Sequence, residues 1–432
     1  MYDVCIVGGG IAGLTAARDL SEQGHRVLLL EARDRLGGRT WYRPFAGTGY
    51  SIELGGTWFD EQSQLNIARE IRRYGLPTVL SPTCTDIRSV LGGRSLAREE
   101  QPVPAADRAE LAAALDHVVA QSRRIRDGQP LDPTAVADLD IAFEDFIGPL
   151  GLSTVVTDYL NMWSAFAFGC RPDEVSALHV LTWVAGYGNE PWTLDAAPAT
   201  KFAHGTSSLV QALADDSAAE IVLSSPVADI HGHGDHVTVR TVDGSEHQAS
   251  VAVLATPVNT WSDISLPIDP TSAKARLAGE GLAGHAVKTW AVVENVPDLL
   301  LGSGWGDPLN WISQQDGSAE ERLLVGIGCD ASRLDPTDRE QVERAIRVFA
   351  PSVEVRACDG HDWTRDPYAK GTWAAYRPGQ LSRWHADFRS PEGRLFFAGS
   401  DIAEGWAGFM DGAIESGAAV ALAVDQRLRD QA

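Results

Sequence analysis

The first forty residues constrain the fold of this chain more than any other stretch. A short run rich in Val and Ile at residues 2–7 predicts a β-strand, and a helical pattern over residues 11–20 ends at Gly24. A second apolar run follows and ends on Glu31. Three glycines between the first strand and the helix have the G-x-G-x-x-G spacing: Gly8, Gly10 and Gly13. This order predicts a parallel βαβ unit that binds a dinucleotide.

Each residue of this motif has a physical task in such a unit. Gly8 allows the tight turn, Gly10 lets the backbone approach a pyrophosphate, and Gly13 lets the helix pack closely on the sheet. The free N–H groups at the helix N-terminus attract the anion. Glu31 lies where a carboxylate can accept both ribose hydroxyls. A glycine-rich turn without a ligand is the alternative, and the flanking strand, helix and acid disfavour it.

Composition excludes several classes of partner. The chain has 432 residues, which favours two domains, and its 44% hydrophobic content is typical of a globular protein. A formal net charge of −23 argues against nucleic acid and against an anionic membrane surface. The five cysteines are scattered and form no C-x-x-C pair, so neither a disulfide framework nor a metal site is expected. We therefore expect a cytoplasmic protein with no nucleic-acid, membrane or metal partner.

Two further glycine pairs follow the opening unit. Gly37 and Gly38 lie between arginines just after Glu31, which suits a loop that returns over a pyrophosphate, and Arg39 can bind it with two hydrogen bonds. Taken alone, this stretch would be read as a surface turn. Gly55 and Gly56 follow a strand-like run and permit the close approach of a flat group, for which a flavin ring is the obvious candidate.

Together these motifs resemble the flavin-containing amine oxidase family, which includes monoamine oxidase, polyamine oxidase and the bacterial nicotine oxidases. The motifs that carry the resemblance are residues 8–13, Glu31, residues 36–39 and residues 55–58. It implies an α/β protein in which an FAD-binding Rossmann-like domain of the glutathione-reductase type is interleaved with an α+β substrate-binding domain. The expected FAD-binding domain is discontinuous and comprises residues 1–80, 201–270 and 386–432. The expected substrate-binding domain comprises residues 81–200 and 271–385.

The resemblance also implies a set of cofactor-binding residues. They are Gly8, Gly10, Gly13, Glu31, Arg33, Gly38, Arg39, Gly55, Gly56, Thr57, Val227, Gly399, Ser400, Asp401, Gly408, Phe409 and Met410. In monoamine oxidase a cysteine at the position of Thr372 bonds covalently to the flavin. Threonine cannot form a thioether, so the expected FAD is non-covalent.

Three residues are expected to act in catalysis. Lys288 stands in an apolar strand, where burying an ammonium is costly. It could be an edge lysine that buries only its aliphatic stem, but the resemblance aligns it with the family lysine that holds a water against flavin N5. Trp373 and Phe409 align with the two walls of the family's aromatic cage, and the usual residue at the second wall is tyrosine.

The substrate pocket is expected to be aromatic. Its predicted residues are Trp58, Phe166, Trp311, Trp373 and Phe409. Which other aromatic residues of 160–192 and 305–311 line it is open at this point. The nicotine oxidases place an asparagine where Phe166 falls, so polar contacts to a hydroxypyridine are not expected. An amino-acid substrate is disfavoured, because that branch has an arginine where residues 56–58 stand.

The expected reaction transfers a hydride from the carbon next to an amine nitrogen to flavin N5, which gives an imine, with O₂ reduced to H₂O₂. The expected substrate is a bulky secondary or cyclic amine of the nicotine type, and a homodimer is possible in principle.

Four alternative functions stay open: an NAD-dependent dehydrogenase, a biosynthetic flavin oxidase acting on an amide or amine, an amine dehydrogenase with another electron acceptor, and a non-catalytic flavin-binding protein. The lysine, the Gly-Gly-Arg loop and residues 399–401 disfavour the first.

One cluster could indicate a metal. Residues 231–236 contain three histidines and an aspartate. The glycines among them are typical of a hairpin tip whose imidazoles point to solvent. The hairpin is the favoured interpretation.

Overall fold

Two large β-sheets organise the protein, which the computed structural model describes at residues 1–125, 131–190, 200–318 and 320–430. The strands, in chain order, are β1 (Tyr2–Val7), β2 (Val27–Leu30), β3 (Tyr42–Pro44), β4 (Ser51–Glu53), β5 (Trp58–Phe59), β6 (Thr78–Leu80), β7 (Asp86–Leu91), β8 (Arg94–Leu96), β9 (Thr200–Phe202), β10 (Glu220–Val222), β11 (Val227–Gly232), β12 (Val237–Thr241), β13 (Glu246–Leu254), β14 (Val287–Glu294), β15 (Leu300–Gly304), β16 (Trp311–Gly317), β17 (Arg322–Gly328), β18 (Glu354–Gly360) and β19 (Leu395–Phe397). The α-helices are α1 (Ile11–Glu22), α2 (Leu65–Tyr74), α3 (Arg108–Ser122), α4 (Pro133–Val136), α5 (Phe143–Ile147), α6 (Thr154–Phe168), α7 (Ala177–Gly186), α8 (Ser207–Asp215), α9 (Ala273–Glu280), α10 (Arg339–Arg347), α11 (Gln380–Trp384) and α12 (Met410–Arg429).

The first sheet contains the predicted βαβ unit. Its strand order is β10-β2-β1-β13-β12-β11, and β19 pairs with the second half of β13. β1 pairs in parallel with β2 on one side and with β13 on the other. Both β1 and β2 are almost wholly buried, as their continuous apolar sequence indicates for strands covered on both faces. The Rossmann-like fold predicted from the first forty residues is therefore confirmed.

Two helices cover one face of this sheet and pack on each other. α1 connects β1 to β2, and α12 comes from the far end of the chain. A Cβ at Gly417 of α12 would lie 2.4 Å from the carbonyl oxygen of Ala12 in α1. The absence of a side chain at Gly417 therefore lets the two helices approach closely, which brings the C-terminal segment against the opening unit.

The second sheet has a different topology. Its order is β18-β14-β17-β16-β15-β7-β8, and its pairs are antiparallel except for β15 with β7. Helices α3 to α7 lie in the chain between β8 and β9. This arrangement confirms an α+β part that alternates along the chain with the Rossmann-like part. The domain boundaries given above stay a prediction.

The histidine-rich segment is a hairpin. β11 and β12 pair in antiparallel fashion, and the His233 N–H group is bonded to the carbonyl of His236 at 2.7 Å across the turn. The rings of these two histidines stack at 4.5 Å. No group of three metal-ligating side chains occurs in the described parts of the chain. Among the described helices, none combines the length and apolarity that a membrane crossing requires.

Candidate functional site

A cavity of about 570 Å³ joins the two sheets. It begins at the carboxyl ends of β1 and β2, where parallel strands commonly bind ligands. It ends among aromatic side chains and at Lys288 of β14 in the second sheet. Further parts of the wall come from the segments after β13 and before α12. The volume is typical of a small-molecule site.

The three glycines of the opening motif have distinct surroundings. Gly8 has a positive φ of 110°, and a Cβ there would lie 2.8 Å from the carbonyl oxygen of Ala255. A Cβ at Gly13 would lie 2.0 Å from the carbonyl oxygen of Gly8. A Cβ at Gly10 would meet no described atom within 4 Å, and Gly10 lines the cavity. Two glycines therefore permit close packing of the protein, and the third leaves space for a ligand.

Glu31 lies in the cavity wall with both carboxylate oxygens oriented by the backbone. One oxygen accepts a hydrogen bond from the N–H of Gly9 at 2.7 Å, and the other accepts from the N–H of Arg33 at 2.8 Å. The residue is only 3% exposed. Each carboxylate oxygen keeps a further lone pair, so the side chain can accept two hydroxyl groups.

Arg39 joins the opening motif to the C-terminal segment. Its guanidinium donates to Asp401 and to the carbonyl oxygen of Thr372, both at 2.6 Å, and to the hydroxyl of Ser400 at 3.1 Å. Arg33 also lines the cavity, but its guanidinium is paired with Asp366 at 2.6 Å. Arg39 therefore fixes the position of residues 372 and 400–401 around the cavity.

The predicted cofactor residues converge on this cavity. All of them line it except Gly13 and Asp401, which lie directly behind it in the contacts described above. Several lining residues had not been predicted, including Thr256, Thr260, Asp263, Trp363 and Tyr368. Trp363 donates its indole N–H to the carbonyl oxygen of Leu54 at 2.8 Å. Residues 359–366 around it include one glycine and four charged residues, but their spacing matches no cofactor-binding motif.

Lys288 is a buried lysine in the interior of a sheet. β14 pairs with β17 on one side and β18 on the other, so the edge-lysine alternative is wrong. The side chain is 7% exposed, and its ammonium donates to the carbonyl oxygen of Gly55 at 2.9 Å and to the hydroxyl of Thr57. It also lies over the ring of Trp58 at 5.0 Å. Gly55 itself cannot carry a side chain, because a Cβ would lie 1.9 Å from the carbonyl oxygen of Arg39.

A buried acid near this lysine had not been predicted. Glu53 accepts hydrogen bonds from the N–H group and the hydroxyl of Thr206, the latter at 2.8 Å. Burial raises the pKa of Glu53 and lowers the pKa of Lys288, and each charge partly offsets the shift of the other. Lys201 lowers the pKa of Lys288 further. The sequence offers little reason to select Glu53, because it shows only an acid at the end of a short strand before the Gly55–Gly56 pair.

Aromatic side chains form the wall of the cavity near Lys288. Trp58, Phe166, Trp373 and Phe409 line it as predicted. Trp373 donates its indole N–H to the carbonyl oxygen of Ala167 at 2.9 Å, which holds its ring in one orientation.

Two tryptophans differ from the expectation. Trp183 of α7 lines the cavity and stacks on Phe409 with ring centroids 6.3 Å apart. Trp311 lies behind the wall, 4.8 Å from the ring of Phe166 and 5.9 Å from that of Trp58, and is not among the residues that line the cavity. Trp311 is the first residue of β16 and is buried there.

A dinucleotide cradle that opens into an aromatic cavity with a buried lysine defines a flavin oxidoreductase of the amine-oxidising class. The chain matches the family model for flavin containing amine oxidoreductases over residues 11–425, and it belongs to this family. FAD is therefore its cofactor, as predicted, and the open space before Gly10 and the orientation of Glu31 fit a bound dinucleotide. The NAD-dependent alternative is wrong.

Individual relatives agree with this assignment. The chain is 34% identical to (S)-6-hydroxynicotine oxidase of Paenarthrobacter nicotinovorans, over 96% of this chain and 97% of that protein. It is 33% identical to pseudooxynicotine dehydrogenase of Pseudomonas sp, over 99% of this chain and 87% of that protein. Wild-type putrescine oxidase bound to putrescine has the same fold, with a TM-score of 0.86 at 24% identity over 99% of both chains. The resemblance to amine oxidases and bacterial nicotine oxidases is confirmed.

A buried histidine lies behind the aromatic wall. His179 of α7 is 4% exposed, and its Nδ1 accepts a hydrogen bond from the N–H of Tyr376 at 3.1 Å. The ring is therefore neutral and carries its hydrogen on Nε2. Burial lowers the pKa of His179 to about 3. Burial also lowers the pKa of His385 to about 4, helped by the charge of Arg389.

These shifts predict a loss of stability at mildly acidic pH. The unfolded state has an ordinary histidine pKa near 6.5 and binds a proton before the folded state does, so the free energy of unfolding falls as the pH drops below that value. At pH 5 the expected loss is about 2 kcal/mol for His179 alone. Urea unfolding at pH 7 and pH 5 measures this loss, and His179→Asn should reduce it because the amide oxygen can replace Nδ1 without titrating. Equal pH dependence in the two proteins would contradict the assignment.

Proposed function

We propose that this flavin-dependent amine oxidase acts on a bulky, apolar secondary or cyclic amine of the nicotine type, with O₂ as the electron acceptor. The observation that carries the proposal is the aromatic part of the cavity wall, which is built from Trp58, Phe166, Trp183, Trp373 and Phe409. The names of the two bacterial relatives, which refer to nicotine-derived amines, support the same substrate class.

The charges of the cavity support a neutral monoamine. Among the described lining residues the only carboxylates are Glu31 and Asp263, which lie with the residues that follow β2 and β13 rather than with the aromatic wall. An ammonium held among these rings has no counter-ion there, so desolvation favours the uncharged amine. A second ammonium on the same substrate would be equally unpaired. This pattern favours an apolar amine over a diamine.

The uncharged state is the reactive one. An amine can release a hydride from its adjacent carbon only while its nitrogen lone pair is free. When bound, FAD supplies the acceptor for that hydride. The contribution of the chain is to orient the amine between the rings of Trp373 and Phe409 and to exclude water from it. No histidine or carboxylate is required as a base.

Other parts of the proposal concern the cofactor and the assembly. Thr372 lines the cavity where a covalent link would require a thiol, which supports non-covalent FAD. The Lys288 ammonium is held at the Gly55–Thr57 segment, which supports a role beside the flavin. The five free cysteines support a cytoplasmic location, and a homodimer stays a proposal from the sequence.

A panel of primary, secondary and cyclic amines tests the substrate class. We expect bulky cyclic and N-methyl amines such as (S)-nicotine to bleach the flavin and to yield one H₂O₂ per amine in air. Putrescine should react at least tenfold more slowly, because its second ammonium has no partner. Bleaching that is reversed only by an added dye, without peroxide, would favour the amine dehydrogenase alternative. No bleaching by any amine would favour an amide substrate or a non-catalytic role.

A further inference from the structure

Two tryptophan rings lie within reach of the Lys288 ammonium. Its nitrogen is over the ring of Trp58 at 5.0 Å from the centroid and over the ring of Trp290 at 5.4 Å. Trp58 lines the cavity, whereas Trp290 does not and is 3% exposed. A cation within about 6 Å of an indole face is attracted by the electron-rich ring, and this attraction is strongest for tryptophan. Trp290 is therefore a buried partner of the charge that forms no part of the cavity wall.

The sequence of β14 places Trp290 beside the lysine. Lys288 and Trp290 are two residues apart in one strand, so their side chains point to the same face of the sheet. The indole N–H of Trp290 donates to the carbonyl oxygen of Glu53 at 2.8 Å. Gly55, whose carbonyl oxygen accepts from Lys288, follows two residues after Glu53. Trp290 and Lys288 therefore bind the same short segment, which fixes the indole ring relative to the ammonium.

The hydrogen bonds of Lys288 are compatible with two protonation states. The hydroxyl of Thr57 donates to the carbonyl oxygen of Gly55 at 3.1 Å, so it acts as an acceptor towards Lys288. The carbonyl oxygen of Gly55 accepts as well. A neutral amine can satisfy both oxygens with its two N–H groups, and an ammonium has a third N–H in place of the lone pair. Electron-rich ring faces favour the ammonium.

Nearby charges act on Lys288 in opposite directions. Burial lowers the pKa of Lys288, the charge of Glu53 offsets part of this shift, and the charge of Lys201 adds to it. The carboxylate of Glu53 is bonded to Thr206, and no ion pair between Glu53 and Lys288 occurs among the described contacts. The charge of Lys288 at neutral pH therefore depends on every other group that attracts a cation.

The neighbouring strands supply no free carboxylate to Lys288 within the described part of the sheet. Asp359 of β18 lies opposite Trp290, but it is paired with Arg43 at 2.8 Å. The residue of β17 opposite Lys288 is the apolar Ile327. On its own sheet, the attraction that favours the ammonium therefore comes from the ring of Trp290.

We propose that Trp290 is a positioning residue that keeps the ammonium of Lys288 charged and held at the Gly55–Thr57 segment. The functional part of this proposal rests on the role beside the flavin proposed above for Lys288. A positive charge there stabilises the negative charge that O₂ gains on reduction, and a neutral amine does not. Trp290 acts only through the lysine, so its loss should change the pH at which the lysine works.

The titration of Lys288 tests this proposal. The chain has four lysines: Lys201, Lys274, Lys288 and Lys370. NMR spectra of the FAD-loaded protein labelled with ¹³C at lysine Cε therefore contain few signals, and Lys288→Met identifies that of Lys288. In Trp290→Leu the titration midpoint of Lys288 should fall by about one pH unit, because the ammonium loses the ring face. Trp290→Phe keeps a weaker ring face and should give a smaller shift.

Fluorinated tryptophan at position 290 weakens the attraction without removing the ring. Fluorine withdraws charge from the ring face, while the indole N–H and its bond to Glu53 are kept. The titration midpoint of Lys288 should fall stepwise as more fluorine atoms are placed on the ring. The matched control is the same series at Trp261, which is 1% exposed and donates its indole N–H to the carbonyl oxygen of Thr256 at 3.1 Å. Fluorination there should leave the midpoint unchanged.

The pH profile of the O₂ reaction gives the functional readout. The rate should fall as Lys288 loses its proton, and in the Trp290 variants this fall should occur at correspondingly lower pH. At low pH Lys288 is charged in every variant, so the rate there should match the wild type. General damage to the site would instead lower the rate at every pH and leave the midpoint in place, which would overturn the proposal.

The NMR titration can overturn the proposal in two further ways. A midpoint that rises in the Trp290 variants would do so. A midpoint that falls in Trp290→Leu but not on fluorination would assign the effect to packing or to the lost bond with Glu53, and not to the ring face. If Lys288→Met leaves the O₂ reaction unchanged, the role proposed for Lys288 fails, while the titration still decides whether Trp290 keeps the lysine charged.

Discussion

Replacing Gly13 with alanine is expected to destabilise the apoprotein by about 3 kcal/mol and to abolish FAD binding. The new Cβ would lie 2.0 Å from the carbonyl oxygen of Gly8, so α1 and the preceding turn must separate. Alanine would otherwise be the better helix residue, and the loss therefore measures the tertiary contact alone. Urea unfolding of the apoprotein gives the first quantity, and flavin fluorescence on titration with FAD gives the second.

The Gly10→Ala variant separates an effect on FAD binding from an effect on the stability of the fold. A Cβ at Gly10 meets nothing within 4 Å, and the residue has an ordinary φ of −74°, so the apoprotein should keep its stability. FAD affinity should still fall about 100-fold, because the added methyl group would occupy the space assigned to the pyrophosphate. Gly49→Ala is the control, since its Cβ is equally free and Gly49 lies outside the cavity.

Either of two results would contradict this account. If Gly10→Ala binds FAD with unchanged affinity, the pyrophosphate does not lie beside Gly10. If Gly13→Ala has unchanged stability, Gly13 is not required for the packing of α1 on the preceding turn.

The preparation of apoprotein for these titrations also tests whether FAD is bound covalently. Acid or heat should release all of the flavin as free FAD. Flavin that stays on the precipitated chain would mean that the bond is covalent and that the expectation from Thr372 is wrong.

Replacing Lys288 with methionine is expected to slow the reaction of the reduced protein with O₂ at least tenfold. The ammonium is the only cationic group held at the Gly55–Thr57 segment among the described residues, and methionine keeps the length of the side chain without the charge. The fold should stay intact, but the free energy of unfolding should fall, because methionine removes the charge that offsets the burial of Glu53. Stopped-flow absorbance after mixing the reduced protein with O₂ measures the rate.

Lys201→Met is the matched control for this variant. Burial also lowers the pKa of Lys201, but its ammonium is bonded to Gln315 and the residue does not line the cavity. Its removal should leave the O₂ reaction within about twofold of the wild type. Equal rates in the wild type and in Lys288→Met would refute the role assigned to Lys288. Slowing by both variants would point to a general effect of charge.

The half of the site that binds the cofactor was predictable because its chemistry is local. Gly8, Gly10, Gly13 and Glu31 have fixed spacing within one βαβ unit, and strand, helix and strand follow one another without interruption. The distant partners Ser400 and Asp401 could be named only through the family resemblance. The contact that joins them to Arg39 belongs to the tertiary structure.

The aromatic half was predicted less completely because an aromatic residue in a helix or strand has the same pattern whether it faces a cavity or the core. Trp183 could not be separated from its neighbours by spacing, yet it lines the cavity and stacks on Phe409. Trp311 was assigned to the pocket and instead supports Phe166 from behind. The direction in which each ring points depends on the register of strands and the rotation of helices, which sequence periodicity does not resolve.

The sequence alone determined that a dinucleotide binds and that the opening unit has a βαβ fold, because glycines with fixed spacing restrict the backbone directly. Only the tertiary structure decided the environment of charged groups. An apolar strand around Lys288 was compatible with an edge position, and pairing on both sides of β14 buried it. The same applies to Glu53, His179 and His385. The charge and pKa of these side chains depend on which distant segments exclude water from them, and that exclusion arises only when the two sheets pack together.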